Sequence, residues 1–289
     1  MSGTLFAQLV VSGALNAFML LLTSLGLVIV MGYMNVVNLA HTEMLMVGAY
    51  LCYYFYQVAG IPFILTLVLA YAISFAFGAL VERTIICHFY GKKAETLLAT
   101  YAISIILKQL ALLLGGKSYK SVDYPTTAVI NIGPVYIESY KLVICVIAIV
   151  ALVGTLIFIN KTSMGRKIRS TTQNRTMTEC LGIDTRTVDT ITFSHGMGLA
   201  GLAGAAIAPL SSVTYSLGES WLTNTFMNVV MGGVSSLFGT VASSFIIEEA
   251  ISIISGFSNS VTAQILVLIV VIVVVRIKPE GLFTPKERR

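Results

Sequence analysis

The apolar positions of the chain fall into runs about twenty residues long, the length an α-helix needs to cross the hydrocarbon core of a bilayer. Such runs lie at roughly 6–30, 61–81, 94–114, 141–160, 188–210, 236–256 and 261–277. Two weaker stretches, 36–57 and 219–233, are shorter or more polar, and both lie beside glycine. The pattern predicts an all-α fold, a polytopic membrane helix bundle of about eight to nine spans, two of them short or broken. One transmembrane domain over 1–289 accommodates them all.

Composition supports this. Hydrophobic residues make up 56% of the chain and charged residues 11%, with a mean hydropathy of +0.89. A soluble domain carries about 25% charged residues, so this surface requires lipid as its solvent. The net charge of +5 would point to nucleic acid in a soluble protein. Here the basic residues cluster in a few loops and set topology instead. The N-terminus does not read as a removable signal, because it lacks a basic first region and its apolar run is too long. Cys52, Cys87, Cys145 and Cys180 have no ligand spacing, so neither a disulfide nor a metal site is expected.

Orientation follows from Lys and Arg. Segment 161–187 holds Lys161, Arg166, Lys167, Arg169, Arg175 and Arg186. The tail holds Arg276, Lys278, Lys286, Arg288 and Arg289, and loop 82–93 holds Arg83, Lys92 and Lys93. The positive-inside rule makes all three cytoplasmic. The chain between 187 and the tail must then cross an even number of times, yet it holds three strong spans. The weak segment 219–233 must cross or nearly cross. By the same parity, a crossing at 36–57 puts the N-terminus outside.

Each half of the chain therefore carries one compromised segment, interrupted by small or polar residues over Gly32–Glu43 and Gly232–Thr240. Interrupted segments in both halves point to a transport site, since irregular backbone at membrane depth needs protein or water to satisfy it. Ordinary short helices packed in a bundle are the alternative. Loop 115–140 is extracytoplasmic in this topology. Its stretch Ala128–Ile137 reads as a small β-hairpin around Asn131 to Pro134, either a receiving surface for a soluble partner or a plain connector.

No Walker A loop, Gly-x-Ser-x-Gly or metal cluster occurs, so ATP hydrolysis by this chain is not expected. Charged groups inside the predicted spans are few. Glu248 and Glu249 lie midway along 236–256 and point about 100° apart on a helix. They fit a polar cavity, a partner or a proton relay. Lys108 has room to snorkel outward, and Glu82 and Asp189 lie near span ends and can do the same. Asn35 and Asn38, and Asn38 and His41, share a helix face, and such a line of amide and imidazole groups suits a neutral polar solute. His195 is expected to bond a neighbouring carbonyl. Gly196, Gly198, Gly201 and Gly204 read as close helix packing. Segment 161–187 contains a short amphipathic helix around 163–181, able to dock into a groove on another protein or to lie on the membrane surface.

Several motifs carry a family resemblance. Thr162-Ser-Met-Gly165-Arg166-x-x-Arg169, then Gln173-Asn174-Arg175 and Cys180-Leu-Gly182-Ile183, resemble the cytoplasmic coupling loop of branched-chain amino-acid-type ABC permeases. Gly32-x-x-Asn35-x-x-Asn38-Leu-Ala-His41-x-Glu43, followed by Gly48-Ala49-Tyr50, and the closing Lys278-Pro279-Glu-Gly281-Leu282-Phe283 are similar to that family's other hallmarks. Within it the chain looks most like the urea-type permease, through Gln173–Arg175, Val188-Asp189, Gly196–Gly204, Leu217–Ser220 and Phe226–Val234. Asn224 stands where an acid is expected, and Ser235-Ser236 replaces a glycine.

The resemblance implies one half of an importer's pathway in a bacterial inner membrane. A paralogous permease subunit would supply the other half. Two ATPase subunits would carry the ATP and magnesium, and an extracytoplasmic solute-binding protein would deliver urea, a short amide or a branched-chain amino acid. The pathway would be lined by Asn35, Asn38, His41 and Glu43 from the first broken segment and Asn224, Asn228, Gly232 and Gly233 from the second. Coupling to the ATPases would fall to Gly165, Arg166, Arg169, Asn174, Arg175 and Gly182. The rival readings are a stand-alone secondary transporter or channel using Glu248 and Glu249, and a membrane enzyme.

Overall fold

A computed structural model describes residues 3–126, 128–132 and 135–283. The chain is a polytopic helical bundle. Among the described residues, seven helices are long and apolar enough to cross a membrane: α1 (Gly3–Met34), α3 (Phe63–Thr84), α4 (Lys93–Gly115), α5 (Ser139–Lys161), α8 (Thr185–Ile207), α10 (Leu237–Ser255) and α11 (Ser260–Ile277). Two are shorter, α2 (His41–Cys52), prolonged by one wider turn over Tyr53–Val58, and α9 (Leu217–Gly232). These nine helices match the nine apolar stretches of the sequence. Gly133 and Pro134 of the predicted hairpin, and Lys286, Arg288 and Arg289 of the tail, lie outside the described residues.

The strands β1 (Val129–Ile132) and β2 (Val135–Glu138) pair antiparallel, Val129 opposite Glu138, as the hairpin reading expects. Two glutamine amides clip this end of the molecule. Gln8 donates to the Tyr136 carbonyl and accepts from the Tyr136 N–H, both at 2.9 Å. Gln57 does the same with the Asp123 side chain and N–H, again at 2.9 Å. At the opposite, basic end lie α6 (Ser163–Gln173) and α7 (Arg175–Cys180). The single helix expected over 163–181 is thus two, because Asn174 takes an extended conformation and its side chain accepts from the Met177 N–H at 3.0 Å, capping α7.

The halves repeat. The first runs α1, a non-helical leg over 35–40, α2, α3 and α4. The second runs α8, a non-helical leg over 211–216, α9, α10 and α11. Packing follows the same correspondence, with α3 lying along α8 as α10 lies along α1, and α2 against α8 as α9 against α1. Because α1 ends at the basic end and α8 begins there, the repeats are inverted, an arrangement recurrent in transporters. The second half is therefore broken before α9. The stretch around Gly232–Thr240 forms the tight turn from α9 to α10, with Gly232 packed directly on Gly239.

Helix α8 is the axis of the bundle and is buried along nearly its whole length. Its glycines serve the close packing expected of them. A side chain on Gly196 would meet Gly26 and Val30 of α1, one on Gly201 would overlap Ser74 of α3, and one on Gly204 would overlap the Leu45 carbonyl of α2. From the other side, Gly26 and Gly48 abut the carbonyls of Gly196 and Gly201. Without a hydrophobic force between helices in lipid, such backbone contact supplies the dispersion energy of association. His195 packs in the same interior. It shares a hydrogen bond with the Tyr71 hydroxyl at 2.7 Å and approaches the Thr155 hydroxyl at 3.5 Å, hydroxyl partners in place of the expected carbonyl.

Replacing Gly201 with valine is expected to abolish assembly of the monodisperse protein, since overpacking alone costs about 1–3 kcal/mol and here the obstacle includes backbone. Gly154→Val, at a site where nothing lies within 4 Å, is expected to leave yield and Tm at parental values. Size-exclusion profiles and thermal unfolding of both variants decide it.

Candidate functional site

The two legs bring polar backbone into the bundle, and specific side chains receive it. At the foot of the first leg, Asn35 takes a left-handed conformation (φ 55°) and is exposed. Higher up, the Leu39 N–H donates to the Thr100 hydroxyl at 3.2 Å, and that hydroxyl donates to the Val37 carbonyl at 3.3 Å. Asn38 is fully buried, with its Oδ1 accepting from the Ala40 N–H at 3.0 Å and its Nδ2 donating to Met197 Sδ at 3.3 Å. His41, also fully buried, donates from Nε2 to the Thr23 carbonyl at 3.0 Å. Asn38 and His41 are thus engaged in holding the leg in place.

The second-half amides behave similarly. Asn228 is fully buried, donates to the Ser24 hydroxyl at 3.0 Å and accepts from the Ser243 hydroxyl at 2.5 Å. Asn224 is partly exposed one turn earlier on α9. Gly232, one turn beyond Asn228 on α9, packs on Gly239. Gly233 meets Gly281, and the Leu282 N–H donates to the Met231 carbonyl at 2.9 Å, so this turn secures the C-terminal segment.

Glu43 is the charged member of a run in which His41 Nδ1 and Thr42 Oγ1 are also buried without a hydrogen-bond partner. It is the third residue of α2 and 4% exposed. The Ser104 hydroxyl donates to its Oε1 at 3.3 Å, while its Oε2 is buried without a hydrogen-bond partner. That oxygen faces the first turn of α9, where a Cβ on Gly218 would lie 2.6 Å away. Next to Gly218 stands Glu219, the third residue of α9, paired with Lys108 of α4. Lys108 therefore does not snorkel outward. It reaches across α2 to a carboxylate on the far side. The lysine is one of four polar residues at four-residue intervals on α4, Thr96, Thr100, Ser104 and Lys108, which form one stripe on a helix whose other strongly polar residues are Lys93, Glu95 and Gln109. That spacing is visible in the sequence and is the signal that would have found the site.

The basic loop carries a second cluster. Arg175 Nη2 lies 2.6 Å from Asp189 Oδ2 of α8, and its Nε lies 3.3 Å from Glu179. Its guanidinium sits 5.1 Å from the centre of the Tyr90 ring. Tyr90 donates to Glu82 Oε1 at 2.7 Å, and Thr190 donates to Glu82 Oε2 at 2.5 Å. Burial, with the Asp189 charge and the hydrogen bond to Glu82, pushes the Tyr90 phenol above its usual value, so it remains a neutral donor. Glu82 and Asp189 are both buried, so the snorkelling expected of them gives way to internal pairing, which is what buried charge requires.

Of the other loop residues, Gly165 packs against the carbonyls of Phe158 and Ile159 at the end of α5, Arg169 donates to the Ile159 carbonyl, and Thr172 donates to the Tyr33 carbonyl of α1 at 2.8 Å. Gly182 ends α7 with a positive φ of 78°. Arg166 is exposed, as are Met177 and Leu181, at 60% and 72%. Glu249 lies against Gly13 of α1. Among the described residues no group of histidine, cysteine or acidic side chains could hold a metal ion.

Residues 9–275 match the family described as branched-chain amino acid transport system / permease component. The high-affinity branched-chain amino acid transport system permease protein LivH of Escherichia coli (strain K12) is 25% identical over an alignment covering 96% of this chain and 95% of LivH. BraD of Pseudomonas aeruginosa, described in the same words, is 24% identical over 85% of each chain. The probable branched-chain amino acid transport permease protein LivH of Methanocaldococcus jannaschii is 22% identical over 95% of this chain and 92% of its own. No solved structure matches the chain.

Removing the arginine of the second cluster should be costlier than removing the pair. Arg175→Met leaves Asp189 buried and unpaired, a loss of about 3–5 kcal/mol for a fully buried pair and less here because the arginine is partly exposed. Adding Asp189→Asn should recover most of the loss. Thermal unfolding and the rate of tryptic cleavage within 161–187 report the effect. Additive losses in the double variant would refute the pairing.

Proposed function

Because the chain belongs to the branched-chain amino acid transport system permease family, we propose that it is the membrane-spanning permease subunit of an ABC importer for branched-chain amino acids. The observation that carries this reading is similarity to LivH permeases over almost the full length of both chains. The basic end is then cytoplasmic and the hairpin end extracytoplasmic, with the N-terminus outside and the C-terminus inside. Translocation itself is mechanical. ATP and magnesium belong to two ATPase subunits seated on α6 and α7, where Arg166, Met177 and Leu181 are free to make contacts. A solute-binding protein delivers substrate at the hairpin end. A second, paralogous permease covers the open side of α4 and α9 and completes the pathway.

Urea, the first expectation from sequence, has less to support it. It rested on the resemblance to the urea-type permease, beside an amide and imidazole line suited to a neutral polar solute. Of that line and its second-half counterpart, Asn38 and Asn228 are bonded internally, while His41 bonds the Thr23 carbonyl through Nε2. The relatives reported above are named for branched-chain amino acids. Beside the first turns of α2 and α9 stand the charged groups Glu43, Lys108 and Glu219, which suit a zwitterion better than a neutral amide.

The complete importer in proteoliposomes should take up leucine when supplied with ATP, and collapse of the proton gradient at constant ATP should not stop it. Excess unlabelled leucine should compete, and excess urea should not. Uptake by this chain alone, driven by a gradient, would sink the ABC reading. On the loop, Arg166→Ala should weaken ATPase association without changing thermal stability. Gly165→Val, which forces α6 off the end of α5, should leave ATP hydrolysis no longer stimulated by substrate. Parental coupling in both variants would remove α6 from the docking surface.

A further inference from the structure

Helices α2 and α9 occupy equivalent positions in the inverted repeat. Each follows a non-helical leg, each begins inside the bundle, and each carries glutamate as its third residue, Glu43 and Glu219. Their first turns touch, since Gly218 packs on the Thr42 carbonyl and the Glu43 backbone. The repeat therefore brings two carboxylates from opposite halves of the chain to one place, with the Lys108 ammonium as the cation between them.

A carboxylate at the first turn of a helix is stabilised by the helix dipole, and that alone could account for an acid at either position. It does not account for the state of Glu43. Its Oε1 takes a single hydroxyl hydrogen bond, and its Oε2 is buried with no donor at all. A buried carboxylate oxygen left without a donor costs free energy, and Lys108, which lies within electrostatic range of it, is paired with Glu219 instead. That ion pair is accessible, with side-chain exposures of 33% and 62%. The cluster thus has one buried acceptor without a donor, covered by Gly218 in this conformation, and one accessible cation.

We propose that Glu43 and Lys108 recognise the charged end of an α-amino acid during its passage, with the substrate ammonium on Glu43 and the substrate carboxylate on Lys108. This rests on the amino-acid permease reading above. The substrate ammonium supplies the donor that Oε2 lacks. The substrate carboxylate draws Lys108 partly away from Glu219, which keeps the lysine oriented when the site is empty. Moving a zwitterion into a bundle interior requires each of its charges to be met by an opposite one, and these two groups meet both. The aliphatic side chain needs only the apolar walls, so the cluster fixes the class of substrate and not the particular amino acid.

The test is initial-rate uptake of labelled leucine by the complete importer in proteoliposomes, at saturating binding protein and ATP, with complex yield and Tm recorded for each variant. Glu43→Gln and Lys108→Gln are each expected to lower uptake roughly tenfold or more, because each leaves one substrate charge unmatched. Yield and Tm should stay parental for Lys108→Gln, whose side chain is partly exposed. Glu43→Asp keeps the charge but withdraws it by one methylene, and it should raise KM with little change in maximal rate. If Glu43→Gln assembles poorly, Glu43→Asp and Lys108→Gln decide the matter. Parental KM in the first together with parental uptake in the second overturns the proposal. If the parent importer takes up urea and not leucine, the functional reading falls, and this site falls with it, since a neutral solute offers these charges nothing to bind. If the parent takes up leucine and the variants equal it, the site alone falls.

Discussion

The bundle depends on how closely the backbone of α8 approaches the backbones of α1 and α2. In lipid, an apolar side chain gains nothing by leaving the hydrocarbon for another apolar side chain, so helices associate through dispersion and through hydrogen bonds. Both grow steeply as backbones approach. The contacts of Gly26 with Gly196, Gly48 with Gly201 and Leu45 with Gly204 set that distance at three heights along α8. Everything peripheral, from α4 and α5 to α11, can then be apolar and exposed. Large side chains such as Leu98, Leu114, Val150 and Ile272 lie more than half open on those outer helices, as a lipid-facing surface should.

Close packing at the centre has a consequence for polar groups. The legs over 35–40 and 211–216 bring unpaired N–H and C=O groups into a region where water cannot satisfy them. The first leg is satisfied by Thr100, Asn38 and Met197. The second is tied at its start by a two-way backbone pairing of Val213 with Lys120, at 2.8 and 3.1 Å. Asn38, His41 and Asn228, which read in the sequence as solute contacts, make internal hydrogen bonds beside the beginnings of α2 and α9. The buried amides Asn38 and Asn228 serve internal order, and the charges of Glu43, Lys108 and Glu219 gather at the first turns of α2 and α9.

The fold was legible because its signal is collective. A helix of twenty apolar residues is recognisable whatever its individual members, and counting basic loops showed that 219–233 had to turn the chain round. The sites were less legible because they depend on partners distant in sequence. Nothing near Lys108 reveals that it meets Glu219, and nothing near Asp189 reveals that it meets Arg175. Each was read as a lysine or aspartate near the end of a span with room to reach outward, which is the cheapest assumption for an isolated charge. The four-residue spacing of Thr96, Thr100, Ser104 and Lys108 was present throughout. On a helix this apolar, such a stripe requires something polar to face. The break in the second half was misplaced for a related reason. Consecutive glycines suggest a disrupted helix, but here they serve a tight turn, and the real interruption at 211–216 is made of ordinary serine, threonine and tyrosine.

The same helix that organises the packing also joins the two clusters. Asp189, near the beginning of α8, receives Arg175 from the loop, and Glu82 ties the neighbouring turn of α8 to α3 through Thr190. About three to four turns further along, Gly201 and Gly204 hold α2 by its backbone, and α2 carries Glu43. A displacement of α6 and α7 cannot proceed far without either breaking the Arg175–Asp189 pair or moving α8. Movement of α8 in turn cannot leave α2 behind, because contacts made backbone to backbone have no flexible side chain to absorb the shift. In an importer of the kind proposed, force applied by an ATPase at the loop would arrive at the first turn of α2 through contiguous rigid contacts. There it would change the separation of Glu43 from Lys108, which sits on α4, while Glu219 would follow α2 because Gly218 packs on the Glu43 backbone. In such an importer the energetic input and the charged site would be connected by one helix, through the small residues that set its packing distance.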